Sequence, residues 1–315
     1  MVLGDKAKDK VLKYVPHGIN NKTFYPINEF MSKESEDINK KKKDIFGDFN
    51  PEFVVFYNAR NIRRKSTSDL IAAYSLFCDK IGKEKAGKCA LLLHTQVADE
   101  NGTDLNVVKD LLCDPSYQKV YFSDARVPPY DVNLLYNMSD VTCLISSNEG
   151  WGLSLTESMM TGRMIIGNVS GGMQDQMRFE DENGNWFTPT PEIPSNHKGT
   201  YKKHGEWAFP VFPSTRVLQG SPPTPYIWDD VVKAEDAAEQ IMNVYKLTPE
   251  ERKARGLKGR EWAIGEEAGF TGETQGKRVI EALDELFLTW EPREKFEFIN
   301  VNKVEDRIVK HELLY

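Results

Sequence analysis

The chain has 315 residues, 40% of them hydrophobic and 28% charged, with a formal net charge of −7. This is the composition of a globular protein long enough for two small domains, and its acidic balance gives no support to nucleic acid as a partner. No apolar run reaches the roughly 18 residues needed to span a bilayer, and the opening "MVLGDKAKDK" lacks the apolar core of a signal peptide.

Residues 1–50 read as a crossover segment and a charged lead-in. "VLKYVPHGINNKTFYPI" suggests a short strand and a turn around Gly18. "SKESEDINKKKKD" reads as a solvated segment whose lysines, Lys40 to Lys43, are balanced by nearby acids. From Pro51 to about residue 190 the pattern alternates. "FVVFYN", "CALLLHT", "KVYFS", "VTCLISS" and "RMIIGN" predict five strands, and "NWFTPT" a sixth. Between them "SDLIAAYSLFCDKIG", "DLNVVKDLLC", "YDVNLLYNMS" and "LSLTESMMT" predict helices, with a short one over Met173 to Met177. Continuous apolar runs mark strands buried on both faces, and their alternation with helices predicts an α/β fold: a Rossmann-like, doubly wound parallel sheet. Right-handed crossovers bring every strand's C-terminal end to one edge, where ligands bind.

Residues 191–228 are rich in Pro and aromatics and show no clean period, which reads as an irregular insertion. Residues 229–315 read as helices and a tail completing the domain. Asp229 or Asp230 and Thr248 are the expected N-caps, with Pro249 in the first helical position and Pro292 ending the last helix. Cys78, Cys89, Cys113 and Cys143 lie in or beside apolar runs without close spacing. They read as reduced core residues of a cytoplasmic protein, not as a metal knuckle or a disulfide frame.

The chemistry gathers where strands hand over to helices. In "SSNEGWGLSLTESMMTG" a strand ends near Ser147 and a helix begins at Leu153. A helix N-terminus carries unpaired N–H groups and partial positive charge, and Gly150 and Gly152 would let backbone approach a ligand closely. Glu149 and Glu157 can both face the crevice; carboxylates there are acceptors for hydroxyl groups. An anion site beside two carboxylates suggests a ligand with both a diphosphate and sugars. After the first strand, Arg60 and Lys65 suit a diphosphate, while Arg63 and Arg64 read as a solvated basic loop. Gly171 and Gly172 repeat the strand–glycine–helix pattern, which also occurs in ordinary tight turns.

These three pieces, in this order, resemble the nucleotide-sugar-binding half of the retaining GT-B glycosyltransferases, specifically glycosyltransferase family 4. Glu149 and Glu157 match the family's two glutamates separated by seven residues, and Gly150, Trp151, Gly152 and Leu153 match its Gly-aromatic-Gly-Leu core. Arg60 and Lys65 match its Arg and Lys after the first strand. The family has Gly before that Arg and after that Lys, where this chain has Ala59 and Ser66. "VPHGINNKTFYPI" is similar to the family's crossover between halves.

The resemblance implies one half of a GT-B fold, and transfer of a sugar from a UDP-, GDP- or ADP-linked donor to an acceptor hydroxyl with retention. Arg60 and Lys65 would hold the diphosphate, Glu149 the donor sugar and Glu157 the ribose. Backbone at Gly152 and Leu153 would bind phosphate, and the nucleobase would sit near Ser123 to Val127, with His94 a further candidate at the same edge. No cofactor and no metal are implied, and the sequence contains no Asp-x-Asp. An N-terminal, acceptor-binding half is implied too, as a separate chain or a removed segment. Two other functions stay open: a nucleotide-sugar-binding module without turnover, and a GT-B-like sugar-nucleotide epimerase. A dinucleotide oxidoreductase would need the Gly-x-Gly-x-x-Gly that the first strand lacks.

Overall fold

The computed structural model describes residues 10–27, 32–187, 193 and 195–292. Helix α1 (Ser32–Phe46) precedes the sheet. Strands β1 (Phe53–Asn58), β2 (Cys89–His94), β3 (Lys119–Ser123), β4 (Val141–Leu144), β5 (Met164–Asn168) and β6 (Ala208–Val211) form one parallel sheet in the order β3-β2-β1-β4-β5-β6. The order reverses between β1 and β4, so a crevice opens there beyond the strands' carboxyl ends. Crossovers run through α2 (Thr67–Ile81), the short α3 (Lys83–Ala86), α4 (Leu105–Leu112), α5 (Pro129–Asn137), α6 (Leu153–Met160) and α7 (Gly172–Asp175). Then come an antiparallel hairpin, β7 (Thr215–Ser221) and β8 (Thr224–Val231), and the helices α8 (Ala234–Tyr245), α9 (Pro249–Ile264) and α10 (Gly272–Thr289).

Five strands coincide with the apolar runs. Alternate residues of β1 serve two layers: Phe53, Val55 and Tyr57 join the core with α2 and α8, whereas Val54 and Phe56 pack with Phe46 of α1 and Leu135 and Tyr136 of α5. A strand filling both layers cannot alternate with polar residues. All four cysteines are free and buried.

Four expectations change. The charged lead-in from Ser32 is helix α1; it buries Phe46, with Ile38 and Ile45 packed alongside, and its lysine run lies on the helix, where Lys41 pairs with Asp131 at 3.1 Å. The sixth strand is Ala208–Val211, inside the stretch read as irregular. Of "NWFTPT", Trp186 makes an isolated bridge with Glu180, and residues 188–190 lie outside those described. Asp229 and Asp230 belong to β8, and α8 is capped by Lys233 with no side-chain hydrogen bond, whereas Thr248 and Glu251 form the capping box of α9 with Pro249 at its start. The strand expected near Gly18 is a single parallel bridge from Ile19 to Thr271, and the turn falls at residues 21–24.

Around that bridge the lead-in is tied to the body. Gly18 lies so close to Thr271 that a Cβ would stand 2.2 Å from its carbonyl oxygen. Tyr14 donates to Asp175 Oδ2 at 2.7 Å. Asp175 is buried, its Oδ1 has no hydrogen-bond partner, and desolvation pushes its pKa up to about 7 against the opposing pull of the Tyr14 bond. An acid with a raised folded-state pKa favours the folded state while protonated, and that contribution fades as pH rises from about 4 through about 7. Stability should therefore fall across this window with a component of up to about 1.4 kcal/mol per pH unit. Asp175→Asn should remove that component in urea titrations at pH 5, 6, 7 and 8; an unchanged slope would show that Asp175 is ionised throughout.

Candidate active site

Two loops meet at the switch point. After β1 the chain passes Arg60 and makes one tight turn over Arg63–Lys65, which ends at Ser66 in the left-handed conformation, φ 52° and ψ 38°. This is the position where the resemblance calls for Gly, a residue that adopts the left-handed region freely; Ser66 adopts it at a cost of about 1–2 kcal/mol. After β4 the chain runs through Glu149 to Gly152, whose φ of 86° turns it into α6 at Leu153. Ser147 N donates to Arg64 O at 2.8 Å and joins the two loops. A cavity of about 550 Å³ lies between them.

Charge is concentrated on its floor. Glu149 is buried and makes ion pairs with Lys65 Nζ and, at 3.0 Å, with Arg64 Nη1. Arg64 also donates to Asn148 O at 2.7 Å. Arg64 thus lines the cavity, although its side chain stays 43% exposed as a solvated loop would have it. Arg60 lines the same cavity, but Asp99 holds its guanidinium in two hydrogen bonds of 2.6 and 3.1 Å. That hydrogen bonding holds the Asp99 carboxyl below its usual range. Glu157 lines the same cavity from α6, and its Oε2 accepts from Tyr136 Oη at 2.5 Å and Asn58 Nδ2 at 3.3 Å. Desolvation raises its pKa, and these two hydrogen bonds oppose the rise.

Backbone and aromatic residues complete the wall. Gly152 and Leu153 line the cavity at the start of α6, with N–H groups available as at any helix N-terminus. Trp151 also lines it; its ring is largely buried against Phe270, and its Nε1 donates to Thr156 at 2.8 Å. Gly150 does not line it, and a Cβ there would meet nothing within 4 Å. His17, beside Trp151 at a ring distance of 6.2 Å, reaches the cavity from the lead-in. A second hollow of about 660 Å³ shares Asn58, Ala59 and Arg60 and extends past His94 and Ser123 to Arg126. His94 Nδ1 lies 3.0 Å from Ser123 Oγ, and desolvation lowers the His94 pKa, favouring neutral imidazole. Val127 does not line this hollow.

Sequence reasoning missed Arg64, Asp99, Tyr136 and His17. His17 carried a local signal, since it precedes Gly18 in the crossover stretch; Asp99 and Tyr136 arrive from distant loops and helices and carried none. Among the described residues, no group of three His, Cys, Asp or Glu side chains could hold a metal ion, and no helix is long and apolar enough to cross a membrane.

Residues 38–195, half of the chain, match the family of glycosyl transferases group 1, and the chain belongs to that family. It is 27% identical over 179 residues to the alpha-monoglucosyldiacylglycerol synthase of Acholeplasma laidlawii, which covers 57% of this chain and 41% of that one. Among solved structures it resembles Anabaena HepE in complex with UDP-glucose, with a TM-score of 0.57 at 16% identity over 85% of this chain and 56% of that one. It also resembles the C-terminal domain of the group 1 glycosyltransferase LpcC from Francisella tularensis, with a TM-score of 0.51 at 14% identity over 78% of this chain and 97% of that domain. The chain thus spans about two fifths to just over half of the longer relatives and nearly all of that domain. These likenesses agree with the sheet order: the fold is a Rossmann-like half of a GT-B glycosyltransferase.

The turn after β5 holds the Glu149 loop. Gly171 takes φ 52° and ψ −145°, a region open to glycine alone, and a Cβ there would stand 2.1 Å from Glu149 O. Gly171→Ala should cost about 3 kcal/mol in chemical denaturation. In surviving folded protein a crystal structure should show Glu149 displaced from Lys65 and Arg64. Wild-type stability with the Glu149–Lys65 pair intact would remove Gly171 from this role.

Proposed function

We propose that this chain is the donor-binding part of a retaining, metal-independent glycosyltransferase of family 4, transferring a hexosyl or pentosyl group from a nucleoside diphosphate to an acceptor hydroxyl. The observation that carries the reading is the meeting of Lys65, Arg64, Glu149, Glu157 and the start of α6 around one cavity at the switch point. The diphosphate would lie on Lys65, Arg64 and the N–H groups of Gly152 and Leu153, with Arg60 joining once Asp99 releases it. Both protein hydrogen bonds to Glu157 fall on Oε2, leaving Oε1 to accept from a ribose hydroxyl. The hollow past His94 and Ser123 takes the nucleobase, and Trp151 packs behind the phosphate loop. The UDP-glucose bound by HepE supports a UDP-linked hexose over GDP and ADP donors.

Such chemistry requires stabilising negative charge on the departing diphosphate while positive charge develops on the sugar. Lys65, Arg64 and the helix N-terminus serve the first need. Glu149, released from Lys65 as the diphosphate takes over that cation, faces the second. The half-length match to the longer relatives supports a second, acceptor-side half, supplied as a separate chain or a removed segment, working with this one in the cytoplasm. The module without turnover and the epimerase have no observation of their own in their favour.

A thermal-shift panel of UDP, GDP, ADP and their glucose conjugates tests the class and the donor together; UDP and UDP-glucose should give the largest shifts, and no shift with any of the six would reject the donor-site assignment. Lys65→Ala should weaken nucleoside diphosphate affinity by about 10–100-fold, as expected for a lost charge-assisted contact, and Arg60→Ala by less because Asp99 already occupies it. Glu157→Ala should weaken UDP binding in calorimetry while leaving pyrophosphate affinity intact. An unchanged UDP affinity would count against the ribose role.

A further inference from the structure

His17 reaches the donor cavity from the lead-in before α1, not from a loop of the sheet. The backbone that carries it is fixed on both sides. Before it, Pro16 is buried, and Tyr14 donates to the buried Asp175 at 2.7 Å. After it, Gly18 N donates to Gln275 Oε1 at 3.0 Å, Ile19 N to Phe270 O at 2.9 Å, and Gly272 N to Ile19 O at 3.1 Å. Pro16 and Ile19 do the packing, and neither needs an imidazole between them. The His17 ring is exposed, and among the described residues it has no hydrogen-bond partner. A polar ring on an immobilised backbone is preorganised: a ligand that takes it has little chain freedom left to quench.

The place of this ring along the cavity follows from what holds the loop after β4. The loop after β1 grips its first half, at Ser147 and Glu149. The lead-in meets its second half: the His17 ring lies 6.2 Å from that of Trp151, which packs on Phe270 at 5.0 Å. Gly152 and Leu153, whose N–H groups open α6, follow Trp151 directly. The hollow past His94 shares Asn58, Ala59 and Arg60 with the cavity, but neither His17 nor Trp151. His17 therefore stands away from the base end of the site. The carboxylates lining the cavity are already engaged, Glu149 by Lys65 and Arg64, and Glu157 Oε2 by Tyr136 and Asn58. An imidazole donates one N–H in either tautomer and two when protonated, which suits an anionic oxygen.

We propose that His17 is a further donor-binding residue, its imidazole N–H bonding the terminal phosphate of the nucleoside diphosphate beside the start of α6. This rests on the donor-site reading and deepens it. Lys65 and Arg64 meet the diphosphate from the loop after β1, the Gly152 and Leu153 N–H groups from α6, and His17 from the lead-in. The third contact falls on the phosphate that a nucleoside monophosphate lacks, so His17 reads the length of the phosphate chain. It also adds a donor where negative charge collects as the sugar departs.

The test is calorimetry of UMP, UDP and UDP-glucose on the full chain, wild type and His17→Ala. The substitution should weaken UDP and UDP-glucose about tenfold, the scale of a lost hydrogen bond to a charged group, and leave UMP affinity as in wild type. Proton NMR of the wild-type chain gives a second reading. The His17 imidazole resonances, identified by their loss in His17→Ala, should move on addition of UDP or inorganic pyrophosphate and stay in place with uridine. Equal losses for UMP and UDP, no loss for either, a loss confined to UDP-glucose, or resonances that ignore pyrophosphate would each overturn the role of His17. In all four cases UDP binding by the wild-type chain leaves the donor reading standing. A wild-type chain that binds no UDP is failure of the donor reading, and the role of His17 falls with it.

Discussion

The pairing of Glu149 with Lys65 and Arg64 is the contact on which the site depends. It joins the loop after β4 to the loop after β1, the two strands on either side of the switch point. Glu149 is buried, so an unpaired charge there would carry a heavy desolvation cost. The pair therefore keeps the two loops together without a ligand. It also holds the largely covered Lys65 and the more exposed Arg64 at the cavity. Under the proposed function a diphosphate competes with Glu149 for Lys65 and Arg64, and the buried carboxylate then needs donor hydroxyl groups in place of those cations.

Everything around this pair serves to place it. The parallel strands are buried on both faces and end at one edge, which sets the loops level with each other. Gly171 packs its backbone against Glu149 from β5, and the hairpin after β6 bonds to Ser147 and Asn148. On the opposite flank Asp99 fixes Arg60, and Tyr136 with Asn58 fixes Glu157. Each acid of the site is thus oriented by a named partner.

Much of this was legible in the sequence, for physical reasons that vary by element. β1, β2, β4 and β5 were readable because strands covered on both faces are plain apolar runs. The turn into α6 was readable because Gly152 needs a positive φ and the two glutamates sit at fixed spacing from it. Helix α1 was hidden by its lysine run, which swamps the apolar spacing of Ile38, Ile45 and Phe46. β6 was hidden because it spans four residues and contains Pro210; an edge strand tolerates proline, since the lost N–H points away from the ladder. Arg63 and Arg64 could not be told apart: in a tight turn of three residues successive side chains diverge by about 120°, and which one enters the crevice is set by the distant Glu149. The Asp99 clamp on Arg60 joins residues 39 apart and leaves no local trace.

The central claim is that a diphosphate takes Lys65 and Arg64 away from Glu149. A crystal structure of the chain soaked with UDP tests it most directly. The account predicts phosphate oxygens within hydrogen-bond distance of Lys65 Nζ and of the Gly152 and Leu153 N–H groups, the ribose on Glu157, and Glu149 turned off Lys65. A UDP molecule bound elsewhere, with the Glu149–Lys65 pair intact and the cavity filled by water alone, would contradict it.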